Sequence, residues 1–160
     1  MEAVILRPRV WILVADGARA RILRDANPPA QAMDGSEELV FRSEQRHLRD
    51  IMADKPSRGF ASRGRRRSVM EYRSDLVRED NRAFAATLAE VLDSHRRAGD
   101  FDRLIVAAAP QMLGDLHQAF SDSLRRVTAA EIAKDFTKLP AEDLRAVIGT
   151  LEISRGSMND

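Results

Sequence analysis

Short apolar runs and longer helical stripes alternate along this chain. Residues 104–109 (LIVAAA) form an unbroken apolar run closed by Pro110. A run this short, preceded by Asp102-Arg103 and ended by proline, fits a strand buried on both faces. Pro110 has no N–H to offer a ladder and suits the first turn of a helix. Met112, Leu113, Leu116 and Phe120 then recur at helical spacing. Strand, tight turn and helix together make the unit of an α/β sheet.

The same reading extends in both directions. Residues 10–15 (VWILVA) are a second buried strand, followed by Asp16-Gly17, a strong hairpin signal. Residues 18–24 alternate as an antiparallel strand with one wet face, and 38–44 alternate again as an edge strand blunted by charge. Residues 47–73 hold no sustained period, which predicts a loop. Ser74 or Asp75 then caps a long helix with Leu76, Val77, Phe84, Leu88, Val91, Leu92 and His95 as its apolar stripe. Gly99 stops that helix. Residues 126–134 suit a helix by propensity. Pro140, with Glu142 and Asp143 behind it, starts a last helix that buries Leu144, Val147, Ile148 and Leu151. If 127–134 is instead a strand, two leading hairpins followed by crossovers give a five-stranded mixed sheet flanked by helices, in ribonuclease-H-like order. The expected organisation is one α/β domain over 1–153, with an arginine-rich loop at 53–73 and a disordered tail at 154–160.

Composition changes this picture in one respect. The 160 residues suffice for a core without staples. There is no cysteine, so disulfides, thiolate catalysis and Cys-ligated zinc are excluded. No apolar run approaches the roughly 18 residues that span a bilayer, and the expectation is a cytoplasmic protein with no membrane role. Charge, however, is unevenly placed. Residues 55–73 hold seven basic residues and one acid, a local charge of +6, which leaves the remainder at −5 given a net charge of +1.

Several stretches together resemble one family. They are 11–21 (WILVADGARAR), 54–60 (DKPSRGF), Phe84-Ala85, 101–104 (FDRL), Ala109-Pro110 with Leu113-Gly114, and Glu131 with 134–137 (KDFT). In order and in company, they resemble the bacterial host attachment protein family, whose members are described as proteins required for attachment to host cells. The resemblance runs from about residue 9 to 151. It singles out Asp16, Gly17, Arg19, Arg21, Pro110, Gly114, Lys134 and Asp135 as motif residues, and implies that 127–134 is a strand. It further implies a fold similar to the middle domain of the archaeal and eukaryotic peptide-release factor, and a place among bacterial release-factor-like proteins that touch ribosomes. The middle segment departs from the usual pattern: Arg66-Arg67-Ser68 stands where a histidine commonly follows the arginine.

Catalytic constellations are incomplete. A two-metal nuclease on this fold needs carboxylates at the ends of the first and central strands and on the first long helix. Asp16 and Glu79 or Asp80 offer two, but residues 107–110 offer none, and Asp16 reads better as a hairpin residue. Adjacent glycines are absent, so a Gly-Gly-Gln release loop is excluded, as is a Gly-x-Ser-x-Gly elbow. His47, His95 and His117 show no metal-ligand spacing. No metal, cofactor or enzymatic activity is expected.

The arginine segment remains. Arg58, Arg63, Arg65, Arg66, Arg67 and Arg73 are interleaved with Phe60 and Tyr72. Guanidinium groups bind phosphates bidentately and aromatic rings stack on unpaired bases. The expectation is a non-enzymatic protein that binds the ribosome or structured RNA through these residues. The alternative is an interaction module whose segment takes an acidic protein partner, or the acidic body of a sister subunit in a homodimer. A hydrolase or nuclease is disfavoured by the missing carboxylate.

Overall fold

A computed structural model describes residues 9–24, 38–43 and 63–158, with side chains over 69–150 in the last stretch. Its elements in chain order are β1 (Val10–Ala15), β2 (Arg19–Leu23), β3 (Glu38–Arg42), α1 (Arg63–Arg97), β4 (Arg103–Ala108), α2 (Pro110–Ala119), α3 (Asp122–Val127), β5 (Thr128–Ile132) and α4 (Ala141–Met158). The strands form one mixed sheet in the order β3-β2-β1-β4-β5. β1–β2 and β2–β3 are antiparallel, whereas β1–β4 and β4–β5 are parallel. The five-stranded α/β sheet expected from the patterning is therefore present, and residues 128–132 are its fifth strand. Among the described residues no helix is long and apolar enough to cross a membrane.

The unbroken apolar runs have a direct cause. β1 and β4 lie side by side in the middle of the sheet and must fill two layers at once. Trp11, Leu13, Ala15, Leu104, Val106 and Ala108, with Ala20 and Ile22 of β2, face α1, α2 and α3. Ile12, Val14, Ile105 and Leu23 face α4, which contributes Leu144 and Ile148. α1 packs through Phe84, Ala85, Leu88, Ala89 and Leu92, and α2 through Met112 and Leu116. Gly99 ends α1 at φ +77°, and the N–H groups of Gly99 and Asp100 close the last turn on the carbonyls of Arg96 and His95.

The structure corrects three boundaries. α1 begins at Arg63, not at Ser74 or Asp75, so residues 63–73 are helical rather than loop. Arginine, methionine and glutamate are good helix formers, and the stretch carries no apolar period to betray the helix. α4 continues to Met158, so 154–158 belong to a helix rather than a disordered tail. Single glycines at 149 and 156 weaken a helix by about 1 kcal/mol each without ending it. Residues 122–127 form a separate short helix, and the strand read at 127–134 is confined to Thr128–Ile132.

Asp93 joins the end of α1 to the start of α3. Arg96 Nε donates to its Oδ1 at 2.8 Å, and the Ser121 hydroxyl donates to the same oxygen at 3.2 Å while accepting from the Leu124 N–H. The Arg96 hydrogen bond is the main reason that the Asp93 carboxyl ionises below its usual range; partial burial opposes this, and the Arg96 charge, Ser121 and Arg97 add to it. A carboxyl lowered in the folded state stabilises fully above its unfolded value of about 3.9 and loses that contribution as pH falls through the folded value. The melting midpoint of Asp93→Asn should therefore lie below wild type at neutral pH, and the two should converge as the solution is acidified through the carboxylate range. A difference that persists undiminished in acid would assign the effect to packing instead.

Candidate functional site

The parallel strands β1 and β4 end level with one another, Ala15 beside Ala108. Open α/β sheets bind ligands at this edge, and four chain segments meet there. The first is the turn after β1. Asp16 N–H donates to Arg19 O at 2.9 Å, so Gly17-Ala18 is the central pair, one residue later than the Asp16-Gly17 signal suggests. Asp16 Oδ1 accepts from the N–H groups of Ala18 and Arg19, each at 2.7 Å, the side-chain turn that aspartate favours. Gly17 has no left-handed backbone. A Cβ there would lie 2.9 Å from Asn81 Oδ1 on α1, so the end of that side chain would have to shift to admit one.

The second segment follows β5. Thr137 Oγ1 lies 2.6 Å from Asp135 Oδ1 and 3.4 Å from Asp16 Oδ2. Arg21 of β2 donates to the carbonyls of Thr137 and Leu139 and pairs with Glu38 of β3. Motif residues 121 positions apart are thus gathered at one edge by side-chain hydrogen bonds. Lys134 and Asp135 are exposed. Arg19 stands opposite Arg42 on the β2–β3 ladder, both exposed, an arrangement of like charges that costs stability. Pro110 occupies the first turn of α2, and Gly114 sits in its middle with open space around it.

The remaining two segments are α1 and the start of α2. The last fully packed residues of α1 toward its N-terminus are Phe84 and Asp80. From Arg63 to Asp80 the helix runs roughly 25 Å, and over 69–79 it buries no residue completely. Arg63, Arg65, Arg66 and Arg67 lie on its first turns, and the first of these contains no acid. Val69, Met70 and Tyr72 are exposed, Met70 at 68%. Arg58 and Phe60 lie outside the described residues. Where α1 passes α2, Arg73, Ser74, Val77, Arg78, Asn81 and Gln111 line a cleft of about 360 Å³. Arg73 Nε is buried there without a hydrogen-bond partner. Of these six residues the sequence patterning singles out only Arg73 as a site residue. A signal is present in the helical spacing of 73, 77 and 81 and of 74 and 78, but nothing in the sequence places Gln111 opposite them.

The histidines are engaged in local contacts. His95 Nδ1 is 2.7 Å from Asp100 Oδ2, and its ring lies 4.9 Å from that of Trp11. His117 Nδ1 is 3.0 Å from Glu131 Oε1. Among the described residues no group of three His, Asp or Glu side chains is placed to hold a metal ion.

The sequence model of one family, described as "protein required for attachment to host cells", matches residues 11–148. No curated protein matches the chain.

Proposed function

We propose that this chain, which belongs to the family of proteins required for attachment to host cells, is a non-enzymatic binding protein that docks on structured RNA, the ribosome foremost. The observation that carries this is the continuity of α1: arginines 63, 65, 66, 67, 73, 78 and 82 lie on one helix, and 63–73 precede Asp80, its first buried residue among those described. Arginines gathered on one helix offer guanidinium groups to phosphates, and the exposed Tyr72 supplies a ring on which an unpaired base stacks. With a net charge of only +1, the attraction is local to this helix and takes structured RNA by shape rather than by base sequence. The reading carries with it a cytoplasmic location, and it is compatible with a release-factor-like origin without peptide release.

The test replaces Arg63, Arg65, Arg66 and Arg67 together with Gln, which keeps helix propensity. Wild type should sediment with ribosomes at low salt and be released as salt rises. The variant should keep its circular dichroism but bind more weakly, its salt slope smaller by about one for each phosphate it no longer neutralises. Wild type that shows no affinity for ribosomes or RNA at low salt ends this reading; recovery of a stoichiometric acidic protein that the variant fails to bind would assign the helix to a protein partner.

A further inference from the structure

We infer that the cleft between α1 and the start of α2 is a receptor for a single phosphate group. Its lining is selective. Arg73 and Arg78 bring two guanidinium groups, while Ser74, Asn81 and Gln111 bring uncharged hydrogen-bonding groups. No carboxylate lines it, although Asp75 and Glu79 follow Ser74 and Arg78 directly in the chain. Val77 supplies an apolar wall. A volume of about 360 Å³ suits a phosphate with its attached sugar, at the small end of ligand sites.

Two independent observations point to an anion. Arg73 Nε is buried with no acceptor, a costly state that an incoming oxygen relieves. α2 also opens without a capping side chain: Ala109 precedes it and Pro110, which lacks an N–H, occupies its first turn. The positive end of that ten-residue helix is left for another negative group to complement. Position strengthens both points. The cleft adjoins the C-terminal edge of the parallel strands, where its lining residue Asn81 lies close to Gly17 of the turn after β1.

Phosphate chemistry has two sources here, a free phosphate monoester and the backbone of an RNA. The cleft does not depend on the RNA reading, and the experiment separates them. Inorganic phosphate, adenosine 5′-monophosphate, adenosine and a short RNA hairpin without terminal phosphates are titrated onto the full chain by calorimetry. The proteins compared are wild type, the double variant Arg73→Gln/Arg78→Gln, and the variant with Gln at 63, 65, 66 and 67. Phosphate and the monophosphate should bind wild type, adenosine should not, and the cleft variant should bind about tenfold more weakly or worse, whereas the four-arginine variant keeps this binding. If only RNA binds, its affinity should fall about tenfold in the cleft variant, and the source is the backbone. Phosphate binding without RNA affinity refutes the RNA reading and leaves the cleft standing. RNA binding that the four-arginine variant loses and the cleft variant retains, with no phosphate binding, overturns the cleft. So does a wild type that binds neither phosphate, nucleotide nor RNA. Arg73→Lys/Arg78→Lys should restore part of the affinity in a folded protein, which a mere loss of helix packing would not do.

Discussion

Val106→Asp is expected to give no folded protein. Val106 lies in the middle of β4, 1% exposed, between Leu13 of β1 and Glu131 of β5 on the ladder. Its side chain packs in the layer that α1 and α2 cover. A carboxylate there lies among apolar side chains and stands beside Glu131 on the same face of the sheet. It must either stay ionised at great cost or hold a proton at a cost of several kcal/mol, in addition to the roughly 1.5–3 kcal/mol of lost apolar burial. A domain whose total stability is about 5–15 kcal/mol does not absorb both. Soluble yield and a circular dichroism melt decide the matter: a variant that expresses and melts like wild type would refute the burial of β4.

Arg21→Ala should be the most damaging change outside the apolar core. The Arg21 side chain is 14% exposed and binds three things at once: the Glu38 carboxylate on β3 and the carbonyls of Thr137 and Leu139 ahead of α4. Truncation leaves a part-buried carboxylate and two carbonyls without that donor, at an expected cost of about 2–4 kcal/mol. In a chain of this size that lowers the melting midpoint by roughly 4–16 °C. Arg21→Lys keeps a charge for Glu38 but not the planar fork, so it should destabilise less than alanine does. Equal melting of wild type and Arg21→Ala would mean that these bonds contribute nothing net.

The two changes also mark what is legible in the sequence. Burial on both faces writes itself as a continuous apolar run, so β1 and β4 are visible, and helical spacing reveals the packed half of α1 through Phe84, Leu88 and Leu92. The N-terminal half of α1 shows only a faint signature, because over 69–79 no residue is fully buried and Leu76 and Val77 are only partly so. The six residues of α3 are too few to show a period at all. Asp16-Gly17 announces a turn, but its centre is set by which backbone groups Asp16 Oδ1 satisfies, and the neighbour that a side chain at 17 would meet, Asn81, lies far along the chain on α1. The arginines are legible as composition. Their placement on a continuous helix, and the meeting of Arg73 and Arg78 with Gln111, exist only once α1 and α2 are laid side by side.

The pairing of β1 with β4 sets a condition on how the chain folds. Val10 meets Arg103, so the two central strands close a loop of more than ninety residues. Loops of that length slow folding, because the entropy of closure is lost before the contacts that reward it exist. During synthesis at about 5–20 residues per second, β1 waits roughly 5–20 s for β4 to be made. Through that interval its far edge is open and its apolar side chains are uncovered on both faces, the state in which strands join a neighbouring chain instead of their own. Refolding of the purified protein should accordingly be slow, and its yield should fall as protein concentration rises.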